Sequence, residues 1–335
     1  MGSPEIRYLA MYWGRRGGGE SLYSQVLEMC ESTNFSVLQS KRPTYVKLDG
    51  TISPVSFLHF TKWILARRHL LDITETARVR TVLIVMSSPW DLFLGKKLIG
   101  RGVEVVRIIH DATPHPGEKF PPRFWIKWLI RDSSRIITLS QYVSDQIHVN
   151  YGVTQTPVCV TPFPIPYMES EVKTAPSESN KILLIGRGKK YQGQELLEEA
   201  WKLVEIPSAQ LVIAGEGFRQ NQTLLGVTYK SKWMTNQELI DEIATSKLVV
   251  LPYLEASQSG TIPICNALGV PVVITPVGGL VEQVRHGENG VISTEVSAKA
   301  LAVAIEIAWH FEWNTKYSSS EFSRERFLRD CFSLK

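Results

Sequence analysis

The sequence is poor in cysteine: Cys30, Cys159, Cys265 and Cys331 are its only four, and no two form a Cys-x-x-Cys pair. That excludes a disulfide-stapled scaffold and a thioredoxin-type redox motif, and a chain this long needs no staples. The four are read as free thiols of a reducing compartment. An excess of one charge is lacking too. The 37 Lys and Arg against 33 Asp and Glu leave only +4, too mild to argue for nucleic acid as a partner. The N-terminus has no basic-then-apolar layout of a secretory signal. One uncharged run, Ala256 to Val281, reaches membrane-spanning length, but Pro263, Pro271, Pro276 and four glycines cut it into short elements and loops. A cytoplasmic protein is expected, at most touching the inner face of a membrane. A G-x-G-x-x-G dinucleotide fingerprint is also missing, which ranks an NAD-dependent dehydrogenase last.

What the sequence does contain is an alternation of strand-like and helix-like stretches. With 335 residues, 44% hydrophobic and 21% charged, it has the size of two domains of about 150 residues each. Ile6–Trp13, Tyr45–Leu48, Thr81–Met86, Val103–Ile109, Arg135–Leu139 and Val158–Val160 read as strands, with helices at Glu20–Cys30, Val55–Leu71 and Arg123–Arg131. Several strands are apolar on both faces, so helices are expected on both sides of a parallel sheet. The alternate prolines of Thr161–Tyr167 and the polar stretch Glu169–Asn180 mark a boundary. Beyond it the alternation restarts, with strands at Lys181–Ile185, Gln210–Ala214, Leu248–Leu251 and Val272–Thr275 and helices at Glu195–Val204, Asn236–Ala244 and Ser297–Trp309. The expected fold is α/β, with two Rossmann-like domains facing each other across a cleft. Such sheets bind ligands outside the carboxyl ends of their strands.

Those strand ends carry the chemistry. After the first strand come Gly17, Gly18 and Gly19, leading into a helix whose amides favour an anion or a sugar. The fourth strand ends in His110-Asp111 and a proline-rich loop with His115. The second half opens on Gly186-Arg187-Gly188-Lys189-Lys190, suited to a diphosphate, with the planar fork of Arg187. Gly215-Glu216-Gly217 ends the next strand. The richest segment is Leu251-Pro-Tyr-Leu-Glu255-Ala-Ser257-Gln-Ser259-Gly260-Thr261, where small hydroxyls and a glycine meet a helix start. Either Ser257 or Ser259 would serve equally well as a helix cap. Both halves thus place glycines, cations or helix starts where strands end, as in a cleft gripping a diphosphate.

The run from Leu251 through Ser-Gln-Ser-Gly260, Gly269-Val-Pro-Val-Val273 and Val277-Gly-Gly-Leu-Val-Glu282 to His286-Gly-Glu-Asn-Gly290 resembles the family 4 glycosyltransferases of the GT-B fold. The resemblance implies a retaining hexosyltransferase-type enzyme without an essential metal or other cofactor. It would use a UDP- or GDP-linked sugar and a saccharide, lipid-linked saccharide or small-molecule acceptor, in glycan or polysaccharide biosynthesis. It implies an acceptor domain over residues 1–165, a nucleotide-sugar domain over 166–310, and a tail, 311–335, packed back on the first domain. By position, His110, Arg187 and Glu255 would be catalytic. Gly18, Gly19, Gly186, Lys190, Gly215, Ser257, Ser259, Gly260 and Thr261 would hold the donor, the last three through amides on its phosphates. Two departures stand out. Gln192 occupies the place before Gly193 where many relatives have lysine, and of the usual pair of glutamates seven residues apart only Glu255, near the first position, is present. They motivate an alternative, a catalytically silent partner subunit of the same fold; a sugar-nucleotide epimerase is another. Aromatics and cations on Arg123–Arg131, and Phe57, Phe60, Trp63, Arg67 and Arg68 on the helix from Val55, would suit contact with a membrane surface, or else core-facing aromatics behind a solvated basic face.

Overall fold

The structure is a computed structural model. It describes residues 8–13, 18–33, 35–41, 55–88, 91, 93–114, 122–152, 155–164, 179–221, 224–313 and 324–333, with 18, 41 and 55–63 described for their backbone only. The chain forms two six-stranded parallel sheets. The first holds β1 (Tyr8–Tyr12), β2 (Leu38–Lys41), β3 (Thr81–Ile84), β4 (Glu104–Ile109), β5 (Arg135–Thr138) and β6 (Val158–Val160) in the order β2-β1-β3-β4-β5-β6. Connecting them are α1 (Gly18–Ser32), α2 (Val55–Thr76), α3 (Leu94–Ile99), α4 (Arg123–Arg131) and α5 (Gln141–Tyr151). The second sheet holds β7 (Lys181–Ile185), β8 (Gln210–Ala214), β9 (Val227–Lys230), β10 (Leu248–Leu251), β11 (Val272–Ile274) and β12 (Gly290–Ile292) in the order β12-β11-β10-β7-β8-β9. It is flanked by α6 (Gln194–Trp201), α7 (Asn236–Ala244), α8 (Thr261–Leu268), α9 (Leu280–Gln283) and α10 (Ala298–His310).

Period-2 alternation explains why each sheet is covered twice. Along β1, β3 and β4, Ala10, Leu83 and Val106 face α1, while Leu9, Met11, Val82 and Val105 face the side of α3 and the end of α2. In the second sheet Ile182, Leu184 and Ile213 point toward α6 and α10, and Leu183, Ile185 and Val249 toward α7 and α8. Each such side chain, fully buried, contributes about 1.5–3 kcal/mol. The chain ends on α11 (Arg324–Phe332), which buries Phe327, Leu328, Cys331 and Phe332 against the first sheet. There the Phe332 ring lies 5.0 Å from Phe35, and Arg135 Nη1 donates to the Asp330 carbonyl at 2.6 Å.

Several expectations need correcting. The strand expected at Tyr45–Leu48 lies outside the described residues; Leu38–Lys41, where no strand was expected, pairs with β1. The aromatics Phe57, Phe60 and Trp63 fall where side chains are not described. Arg67 is no surface cation: it is buried, and Asp132 and Asp91 act on it electrostatically. On α4, Trp125 is buried and Trp128 half-buried, leaving Phe124 as that helix's one exposed aromatic. The helix therefore turns most of its aromatic surface to the core and its cations to solvent.

Beneath α3 and α4 lies a buried charge cluster. The Arg107 side chain, fully buried, meets Asp91 at 2.9 Å and Asp132 at 3.2 Å, and donates to Ser87 and Ser133 hydroxyls. Asp132 also accepts from the Gly95 and Lys96 amides at the start of α3. No helix among the described residues is long and apolar enough to cross a membrane.

Candidate functional site

In both sheets the strand order reverses once, between β1 and β3 in the first and between β7 and β10 in the second. Ligands of open parallel sheets bind at such reversals. The chain places its glycine loops there. A Cβ on Gly19 would stand 2.5 Å from Met86 Sδ and 2.8 Å from the Tyr12 ring, so a side chain there would have to displace them. Gly18 begins α1 beside it, and Gly17 lies outside the described residues.

In the second domain the loops after β7 and β8 lie against each other. Gly215 has φ +128°, and a Cβ on it would sit 1.8 Å from the Gly186 carbonyl. Gly188, with φ +58°, is equally pressed against Gly217. Side chains at these positions would force the loops apart. The exposed side chains of Arg187, Lys189 and Lys190 stand on this platform, Lys190 opening a single 3₁₀ turn, Lys190–Gln192.

Gln192 is buried and shapes that platform. Its Oε1 accepts from the amides of Arg187 at 3.0 Å and Lys189 at 3.2 Å, and its Nε2 donates to the Tyr253 hydroxyl at 3.2 Å. Burial raises the Tyr253 phenol pKa, while hydrogen bonds to Gln192 and Ser259 and the charge of Arg187 pull it down. The loops after β7 and β10 are thereby tied together through one amide and one phenol.

The segment after β10 differs from expectation in one respect. Ser257 and Ser259 are both buried, Thr261 is half-buried, and Gly260 is exposed. The Ser259 amide, expected to face phosphate, donates to Gln283 Oε1 at 2.7 Å, and Gln283 Nε2 returns a bond to the Ser259 carbonyl at 3.0 Å. The Thr261 amide is directed at Ser259 Oγ, 3.3 Å away. Of the three amides, that of Gly260 alone makes no bond to a described residue. Gln283, invisible as a site residue in the sequence, fixes this loop.

Across the cleft stands His110, at the end of β4. Burial pushes its imidazole pKa down, opposed by the adjacent Asp111 carboxylate. Its Nε2 is buried and has no hydrogen-bond partner among the described residues. Its Nδ1 lies 3.1 Å from the side-chain amide of Gln258, a second-domain residue that sequence reasoning passed over. Glu255 is half-buried and near Tyr142 of α5, whose phenol pKa is raised by burial and then by the Glu255 charge. The domains meet at further points: Ser140 Oγ donates to the Ser257 carbonyl at 2.8 Å, and Gly260 rests on Phe163. Ser140 also caps α5, accepting from the Val143 amide, a role that its place between a strand and a helix pattern could have signalled. Arg187, Gly186 and Gly215 are thus brought together on one side, and His110, Ser257 and Gln258 on the interface. Among the described residues no group of three or more His, Cys, Asp or Glu could hold a metal ion.

Residues 179–310 match the family described as glycosyl transferases group 1. The match falls on the second sheet and the helices around it. The glycogen synthase of Mycobacterium tuberculosis is 26% identical over 196 residues, 53% of this chain and 46% of that protein. The chain thus spans about half the length of the curated relatives it matches. The sucrose-phosphate synthase of Thermosynechococcus elongatus has a similar structure, with a TM-score of 0.66 at 16% identity over 98% of this chain and 95% of that one. The Anabaena protein HepE, solved with UDP-glucose, gives a TM-score of 0.64 at 15% identity over 97% and 95%. The chain shares the fold of these structures, the GT-B fold.

Proposed function

We propose that this chain is a glycosyl transferase that moves a hexosyl group from a nucleoside diphosphate sugar to a hydroxyl acceptor with retention of anomeric configuration, without a metal. The observation that carries the reading is the pairing of the Gly186–Gly188 and Gly215–Gly217 loops beneath Arg187, opposite His110 Nε2, unpartnered among the described residues. Arg187 and Lys190 would neutralise the diphosphate as it departs, the kind of electrostatic stabilisation that usually dominates catalysis. The free Gly260 amide would add a neutral donor. His110, kept uncharged by burial, would accept from a hydroxyl of the donor sugar, with Glu255 on the same rim. The sugar C1–O bond to phosphate breaks, the bond from the acceptor oxygen forms on the same face, and the acceptor's proton passes to the leaving phosphate. Contact between the domains would keep water from the donor.

HepE was solved with UDP-glucose, which favours UDP over GDP as the first donor to try. The acceptor would be a saccharide, free or lipid-linked, at the first domain, in glycan or polysaccharide synthesis. Phe124, 73% exposed, beside Arg123, Lys127 and Arg131 would touch an anionic membrane surface; co-sedimentation with anionic liposomes tests that contact, and full retention in the supernatant removes it.

The decisive experiment is thermal unfolding with UDP, UDP-glucose, GDP and GDP-mannose, followed by transfer assays with and without EDTA. A ligand at about 100 times its dissociation constant adds about 2.7 kcal/mol of stability. One nucleotide and its sugar should raise the melting temperature of the wild type but not of Arg187→Ala, whose exposed side chain leaves folding intact. No shift with any of them defeats the reading. A shift without transfer to any acceptor would favour the silent partner subunit.

A further inference from the structure

The head group of Gln258 resolves the protonation of His110. One of its two terminal atoms lies 3.2 Å from the His110 carbonyl oxygen and 3.2 Å from the Ser257 carbonyl oxygen. Two acceptors can be satisfied only by the amide nitrogen, so that atom is the NH2. The other terminal atom, 3.1 Å from His110 Nδ1, is therefore the amide oxygen. An amide oxygen only accepts, so Nδ1 must carry the ring proton. The lone pair of the neutral ring is left on Nε2, the atom that is buried with no partner among the described residues.

We infer that Gln258 is a positioning residue: it reaches across the domain boundary, holds His110 as the Nδ1–H tautomer, and so makes Nε2 an obligate acceptor. In free histidine the Nε2–H form is somewhat favoured in water, so this assignment depends on the bond that Nδ1–H donates to Gln258. The buried environment disfavours the imidazolium, in which both nitrogens would donate. A lone pair at Nε2 repels phosphate and carboxylate oxygens and receives an O–H. His110 thus reads a hydroxyl rather than an anion, and does so only while the two domains are together, because Gln258 follows β10 of the second and His110 follows β4 of the first. The sugar-hydroxyl role rests on the proposed function; the tautomer does not.

The test is imidazole 15N and 1H NMR of the full chain, with His110 assigned by difference from His110→Asn among the seven histidines. The wild type should show a protonated Nδ1 and a lone-pair shift at Nε2. Gln258→Leu should move His110 to a mixture of the two tautomers or to Nε2–H. Gln258→Glu keeps an acceptor for Nδ1–H and should keep the proton on Nδ1, but its second oxygen would face the His110 and Ser257 carbonyls, so the variant should also melt below wild type. With a donor identified, Gln258→Leu should raise its KM several-fold with a smaller change in kcat. An Nε2–H wild type, or a tautomer indifferent to Gln258→Leu, overturns the inference even if sugar transfer is found. The expected NMR pattern in a protein that transfers no sugar would sink the functional reading alone.

Discussion

The Glu282 carboxylate and the Gln141 amide meet at 2.6 Å, joining α9 of the second domain to the first turn of α5 in the first. The same carboxylate accepts from the Tyr142 amide at 2.7 Å. The exposed donors at a helix start carry partial positive charge, and here an acid from another domain satisfies them. Close backbone approach supports the contact: a Cβ on Gly279 would fall 2.0 Å from the Ser257 carbonyl and 2.8 Å from Ser140 Oγ.

Glu282→Ala should therefore loosen the domains without unfolding either. Losing a cap costs about 0.5–2 kcal/mol, and the loss falls on the boundary. Small-angle scattering of the ligand-free variant should give a larger radius of gyration than wild type, with unchanged far-UV circular dichroism. Glu282→Gln, which keeps an acceptor, should fall between. An unchanged radius in Glu282→Ala would mean that the Ser140–Ser257 bond and the Phe163 contact suffice to hold the domains.

Gln192 yields a prediction that runs against family resemblance. Restoring the relatives' lysine by Gln192→Lys brings a cation near the proposed diphosphate, yet it removes the acceptor for the Arg187 and Lys189 amides. A buried polar group left unpaired costs about 1–3 kcal/mol. The variant should melt below wild type and bind nucleoside diphosphate more weakly, by calorimetry, because the loop that presents Arg187 is no longer held. Tighter binding at unchanged stability would show that the loop needs no such support.

How much of this was visible beforehand depends on the residue. Leu248–Leu251 and Lys181–Ile185 were legible as strands because both faces are buried and every position is apolar or nearly so. Leu38–Lys41 was not: it is an edge strand reading Leu-Gln-Ser-Lys, held by pairing to β1 rather than by its own pattern. The six-residue α3 was hidden for a similar reason, since it contains Gly95 and is held by Asp132. Within the site, Gly186, Arg187 and Gly215 announced themselves by standing where strands end. Gln258, Gln283 and Gln192 did not, because a neutral amide has no chemistry of its own. Their roles arise from partners that only the fold brings to them: His110 for Gln258, Ser259 for Gln283 and Tyr253 for Gln192.

Arg107 offers the sharpest test of what holds the first domain. It is fully buried between Asp91 and Asp132, with Arg67 acting on both from α2. Arg107→Met keeps much of the volume but leaves two buried carboxylates with less than their charge in compensation, at a cost of about 3–5 kcal/mol. Burial already raises both carboxyl pKa values, and Arg107 opposes that rise. Without it they should climb further above the unfolded value of about 3.9. A group whose folded pKa is raised keeps its stability contribution below the unfolded pKa and loses it as pH rises through the folded one. The deficit of Arg107→Met relative to wild type should therefore be larger at pH 8 than at pH 5, measured by urea unfolding. Adding Asp91→Asn and Asp132→Asn to the variant should flatten that pH dependence. A deficit equal at both pH values would mean that the penalty comes from lost packing and the bonds to Ser87 and Ser133, not from stranded charge.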